Sequence, residues 1–474
     1  MKYFFVIVIL FCSIGLLFAN SRVMLTSKML DEANTGAWPC FGQNQYRTAQ
    51  SNYDGPDVNI QKAWTYEVGY PIYGGVAINH DGRIFFGSDD NWFYCINSNG
   101  GLVWKEITYG DIRTTPCIDG DGQVYFGSND GYFYCYFHDG NMKWSYRFSS
   151  TMTGAPIVDD YGNVYFGANN GYIYCVNSIG GLKWSVDVDA SSVFAPTLDR
   201  SGGVFVSSRS HLTMLEKSGS VRWYYDTSSI YYPASVDASG NLYFTGESMV
   251  VYCHDAENQT IYWTYRLSGE SQCVPSIDQN GNINVGCDDY KIHSIKQDSS
   301  RNWLFTANDA IRKQALVDVT GDVIFVSEDG WLHCLHRDGT LEWKYNLASA
   351  VSGELALAAN GQIIVPLDNG TVVAITGTTG FKDQKTARKL PQKSSLDILC
   401  NPVKDILKFR CTLENDSNMK VYDVNGRLIK DFGKVKSGSH TYSWQIPSQI
   451  NNGVYFINIS NNGELIKKKF LVLK

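Results

Sequence analysis

Residues Thr153–Trp184 read TGAPIVDDYGNVYFGANNGYIYCVNSIGGLKW, and this stretch decides the fold. Three turn signals cut it: Asp159 to Gly162, Gly167 to Gly171, and Asn177 to Gly181. Glycine permits positive φ at such points, and Asp or Asn bonds its own following backbone. Between the turns lie short alternating runs of Val, Ile, Tyr and Phe, which read as strands. The unit is therefore four short antiparallel strands, with Trp184 in the fourth.

The unit recurs along the chain. Trp64, Trp104, Trp144, Trp184, Trp223, Trp263, Trp303 and Trp343 follow one another at steps of 40, 40, 40, 39, 40, 40 and 40 residues. The first turn recurs as Asp119/Gly122, Asp159/Gly162, Asp199/Gly202, Asp237/Gly240, Asp278/Gly281 and Asp318/Gly321, with Asn79/Gly82 and Ala358/Gly361 as variants. A step near 40 filled with strands is the mark of a β-propeller. The strand of Trp64 comes before any first strand, and the last three strands, about Val351 to Ile375, have no fourth strand after them. The expectation is an all-β chain: an eight-bladed propeller over residues 61–378, closed by its N-terminal strand, then a small C-terminal β-sandwich. Closure pairs two sheet edges that would otherwise stay open. The eight Trp are expected to be blade-to-blade packing anchors.

The residue after each Trp is never Asp, so the repeat is not of the WD type. The runs FYCINSNGGLVW, YIYCVNSIGGLKW and LHCLHRDGTLEW instead resemble the PQQ-like (quinoprotein-like) propeller repeat. WPCFGQNQYRTAQS, Trp38 to Ser51, resembles the opening motif of secreted members, within a lead segment at 20–60. The resemblance is specific for the fold and says little about function.

Residues 1–19 hold one Lys and then an apolar run from Tyr3 to Ala19, which reads as a signal peptide cleaved near Ala19. It is too short for a membrane span, and no later stretch could span one. Residues 379–395 read as a basic linker, with Lys382, Lys385, Arg388, Lys389 and Lys393 against Asp383. Residues 396–474 carry Asn401-Pro402, VYDVNGRLIK at Val421–Lys430, GVYFINI at Gly453–Ile459 and the terminal KKKFLVLK. These pieces resemble the C-terminal sorting domain of the type IX secretion system. The resemblance implies recognition by that translocon, passage through the outer membrane, and display on the cell surface or release.

The net charge of −7 gives no basic footprint for nucleic acid. Cys95, Cys135, Cys175, Cys253 and Cys334 fall at one repeat position, where the other copies have Met214, Ser294 and Ala374. That position wants a small or adaptable core residue, and equivalent positions in neighbouring blades lie beyond disulfide reach. These five are expected to be free buried thiols. Cys400 and Cys411 could face each other across a hairpin, and that pairing stays open.

Catalytic signatures are missing. Quinoprotein dehydrogenases of this resemblance use a funnel-bound cofactor, a calcium ion and typically an adjacent Cys-Cys ring, and the chain has no Cys-Cys dipeptide. His80, His138, His211, His254, His293, His333, His336 and His440 occupy unrelated repeat positions, and no H-E-x-x-H or G-x-S-x-G occurs. Asp119 and Asp121 sit in an ordinary turn and lack the rest of a calcium loop. No cofactor and no metal site are expected. Trp92 and Trp331 follow second-to-third turns and read as core-edge residues.

The loops from each fourth strand to the next first strand vary most. They present Tyr70, Tyr73, Asp111, Arg113, Phe194, Tyr231, Tyr232, Glu270, Gln272, Arg312 and Lys313. Aromatic rings with interleaved polar groups suit sugar rings or peptide segments. The leading expectation is a monomeric, non-enzymatic scaffold for an unknown protein or glycan ligand. The alternatives are a quinoprotein dehydrogenase or a glycan lyase or hydrolase in the funnel, and an outer-membrane assembly factor.

Overall fold

The computed structural model describes residues 37–378 apart from 153, 189–192, 209–210, 227–231, 247–248 and 258–259. It also describes 395–472 apart from 399–405, 414–415, 424–426, 437, 448 and 462–463. The chain divides into two compact units, Met1–Gly380 and Phe381–Lys474. The signal-peptide reading and the linker reading up to residue 394 fall outside the described residues, and Ser395, the last residue of the linker reading, opens a strand.

The first unit is a β-propeller. Its described residues form eight four-stranded antiparallel sheets, each strand paired with its neighbour in sequence. The repeat quoted above gives Ile157–Val158, Val164–Gly167, Tyr172–Val176 and Leu182–Asp187. One sheet breaks the sequence order. Val58–Glu67 pairs antiparallel with Thr371–Thr378, so the first strand completes the sheet of the last three. Trp64 lies opposite Ala374 in that seam, as the other Trp lie opposite the residue before their own bulge.

The second strand is buried throughout and the third from its second residue on, while the fourth alternates between exposed and half-buried. The Trp anchors come from that fourth strand. Each indole N–H in seven of the eight donates to a backbone carbonyl: Trp64 to Ser98, Trp104 to His138, Trp144 to Ser178, Trp184 to Lys217, Trp223 to Ala256, Trp303 to Arg337 and Trp343 to Pro56. Six of these acceptors lie at the end of the third strand of the next repeat. The seventh, Pro56, leads into the first strand of the chain and takes that place where the ring closes. A large ring thus covers the neighbouring sheet while its one polar atom stays satisfied. The five thiols face these rings across the sheet: Cys95 opposite Trp104, Cys135 opposite Trp144, Cys175 opposite Trp184, Cys253 opposite Trp263 and Cys334 opposite Trp343. All five are buried and free.

The second unit is a small β-sandwich. One sheet orders Ser395–Ile398, Ile406–Leu413 and Gly438–Gln445; the other orders Leu428–Val435, Ser417–Asp423, Gly453–Asn461 and Glu464–Val472. Leu407, Phe409 and Trp444 of the first share one core with Met419, Val421, Ile457 and Ile459 of the second. Cys411 is a buried free thiol whose register partners are Leu396 and His440. Cys400 lies outside the described residues.

Candidate functional site

The lead segment does something its sequence does not announce: it fills the middle of the ring. First strands of adjacent repeats approach one another, and their inner edges have no further strand to pair with. Backbone from Trp38 to Ser51 satisfies those edges in order around the ring. Trp38 exchanges both bonds with Ile78, and Ile118 N–H donates to Pro39 O. Leu198, Val236, Ile277 and Val317 then donate to Gln45, Tyr46, Thr48 and Ala49. The path needs left-handed backbone at Gly42 (φ 69°) and even at Gln43, Arg47 and Ala49. A Cβ at Gly42 would lie 2.8 Å from Arg47 Cα, so no other residue fits there.

Arg47 is the centre of this plug and is fully buried. Its Nε and Nη2 donate to Pro196 O at 2.9 and 2.6 Å, Nη1 to Phe41 O at 3.0 Å, and Nη2 to Ala155 O at 3.3 Å. Burial lowers its guanidinium to about 10. Gln314 Nε2 and Ser235 Oγ in turn bond the Arg47 carbonyl. Phe41 meets Ala155, Ala195 and Val274, with Tyr232 packed against them. Protein side chains, not an open funnel, thus occupy the axis at this level.

Beside the plug, near the third repeat, a cavity of about 250 Å³ opens. Its walls are polar: Gln43, Asn44 and Gln50 from the plug, and Asp119, Asp121 and Asp160 from the first-to-second turns. Asp119 does not resemble a calcium ligand here. It accepts the Asp121 and Gln123 N–H groups and the Tyr125 hydroxyl, and burial pushes its carboxyl up.

The candidate loop residues lie on the other face, where the second-to-third turns bond the fourth-to-first loops: Asp89 N–H to Pro71 O, Asn129 to Asp111, Asp288 to Glu270. The structure brings some of them together. Tyr70 and Tyr73 are exposed, and the Arg113 guanidinium lies 5.1 Å from the Tyr73 ring. Arg113 also forks onto Asp89 at 2.9 and 2.7 Å and reaches Asp111 at 3.0 Å. Tyr109, 94 % exposed, stands in the same loop. A second copy of the pair recurs five repeats further along the chain, Arg312 on Asp288 at 2.9 and 3.2 Å. Lys313 Nζ donates to Ser352 O, and Glu270 is exposed. Phe194 and Gln272 are half-buried, and Tyr232 is also half-buried, its hydroxyl pushed up to about 12 by burial. Tyr231 lies outside the described residues.

Trp92 and Trp331 are half-buried, each under a lysine: Lys105 Nζ at 4.2 Å and Lys344 Nζ at 4.7 Å from the ring centres. Among the described residues, two groups gather side chains able to ligate a metal: Cys287, Asp289 and His293, and Asp322, His336 and Glu342. In the first, Lys291 Nζ already lies 3.2 Å from the Asp289 carboxylate. The second set is scattered over a repeat and no local motif marks it, whereas the first lies within seven residues, on one turn and the strand Lys291–Ile295.

Comparison with known proteins fits this geometry. Residues 397–473 match the family model described as secretion system C-terminal sorting domain. The terminal unit is a secretion sorting domain. Export by type IX secretion therefore carries the chain to the cell surface or the extracellular space, and the machinery of that system is a partner. Residues 59–159 match the repeat family described as outer membrane protein assembly factor BamB. No curated protein matches the chain. Among solved structures, it is similar to a quinohemoprotein alcohol dehydrogenase from Comamonas testosteroni (TM-score 0.60, 13 % identity, 73 % of this chain and 81 % of that one). It is also similar to BamB from Moraxella catarrhalis (TM-score 0.56, 15 % identity, 67 % and 98 %) and to the computationally designed Ika8 protein (TM-score 0.59, 14 % identity, 67 % and 100 %). At such identities the likeness is one of fold. No helix among the described residues is long and apolar enough to cross a membrane.

Proposed function

We propose that this exported propeller is a non-enzymatic scaffold that binds a protein or glycan on the face of its fourth-to-first loops. The observation that carries the reading is the exposed Tyr73 ring beside the Arg113 guanidinium, with Tyr70 and Tyr109 exposed on the same two loops. Rigid rings offer contact area at low entropic cost, and a guanidinium held by Asp89 and Asp111 is already oriented for a ligand's polar groups. The filled axis supports the same reading. Arg47 and Phe41 are buried in the plug, which takes up the axis at their level.

The test is binding of the purified full chain to a glycan array and to surface proteins of neighbouring cells. Capture that survives metal chelation and falls at least tenfold in a Tyr70→Ala, Tyr73→Ala double variant supports the proposal; a loss of about 1.4 kcal/mol corresponds to that factor. Robust turnover of a substrate by the pure protein would overturn it.

A further inference from the structure

We propose that Cys40 and Cys117 are a built oxidation site, which closes to a disulfide that staples the axial plug to the second repeat. The geometry carries this. Ile118 N–H donates to Pro39 O at 2.7 Å, so Cys40 and Cys117 are the next residues along two paired backbones. Both residues line the same cavity of about 250 Å³, so their side chains converge on one space, and a disulfide needs Cα atoms within about 7 Å. The two thiols lie close enough to influence each other's charge and are 3 % and 1 % exposed.

Their surroundings divide the labour. The Cys117 thiol and the buried Arg47 guanidinium both favour the Cys40 thiolate, which lowers Cys40, whereas contact with Cys40 and burial raise Cys117. Arg47 Nη1 donates to the carbonyl of Phe41, next to Cys40, so we take Cys40 as the attacking sulfur and Cys117 as the resolving one. The oxidant is an external disulfide, low-molecular-weight or protein-borne. Cys40 thiolate attacks one of its sulfurs, forming a mixed disulfide and expelling one thiolate. The Cys117 sulfur then attacks Cys40 Sγ and expels the second. Two protein thiols are oxidised, one external disulfide is reduced to two thiols, and the two protons end on those thiols. The five thiols opposite the Trp anchors have no such partner in register and serve as internal controls.

The experiment treats the folded full chain with oxidised glutathione, alkylates remaining thiols after denaturation, and maps peptides without reduction. The expected result is a Cys40–Cys117 linked peptide that rises from trace to the dominant form, while Cys95, Cys135, Cys175, Cys253 and Cys334 are recovered alkylated. Cys117→Ser should instead leave a stable glutathione adduct on Cys40. Recovery of Cys40 and Cys117 as alkylated thiols, as separate glutathione adducts, or linked to other cysteines would overturn the proposal. The outcome is read on the wild-type chain, so it does not depend on the variant folding.

Discussion

Gly140 and Gly122 separate two reasons for a glycine. Both have positive φ, 96° and 81°. A Cβ at Gly140 would sit 3.0 Å from the Trp104 ring, whereas at Gly122 the nearest atom is 3.9 Å away. Gly122→Ala is expected to cost about 1 kcal/mol, from backbone strain alone. Gly140→Ala should cost about 2–3 kcal/mol, because the anchor ring must also shift. Urea unfolding at unchanged slope measures both. A second residue-scale prediction concerns Asp318, whose carboxyl accepts the Gly55 N–H and is pushed up to about 7 by burial and by Asp322. Its folded pKa is raised, so its contribution to stability is present below the unfolded carboxylate range and is lost as pH rises through about 7. Asp318→Asn keeps an oxygen for Gly55 and should flatten the fall in melting temperature between pH 5 and pH 8. A variant curve superposable on that of the wild type contradicts this.

At the scale of elements, legibility followed locality. Each repeat announces itself within 40 residues, because the Asx turns, the alternating strands and the Trp are local signals; even the seam at Trp64 followed from counting. In the sandwich, the strands Leu428–Val435 and Gly438–Gln445 are not marked by the sequence, since their mixed polar residues lack clean alternation. The plug was not legible as a plug. Its partners lie at Ile78, Ile118, Leu198, Val236, Ile277 and Val317, and its left-handed residues Gln43, Arg47 and Ala49 follow no turn rule. In the candidate site, Tyr70, Tyr73 and Arg113 were legible as variable loop residues, but Tyr109 was not. The Arg113–Asp89 pair joins neighbouring repeats across 24 residues; its echo at Arg312 and Asp288 was the available signal. The plug yields its own prediction. Arg47→Met keeps the length of the side chain but strips the Phe41, Ala155 and Pro196 carbonyls of their donor. It should destabilise the propeller by about 3 kcal/mol or more, seen as an earlier tryptophan-fluorescence transition. A shift below about 0.5 kcal/mol, the scale of an ordinary surface substitution, would show that the plug adds little.

For the whole molecule, the central claim is a division of labour: the propeller is the cargo and the terminal sandwich its address. The two units have separate cores, and the propeller seam closes at Thr378 without any later residue. A chain lacking Ser395–Lys474 should therefore fold, with its Trp anchors in place, but stay inside the outer membrane. The most direct measurement is localisation of a signal-bearing reporter fused to Ser395–Lys474, in a host with the type IX system. The account predicts that the reporter reaches the cell surface or the medium. A reporter that stays in the periplasm, while the full-length chain is exported from the same cells, would contradict it.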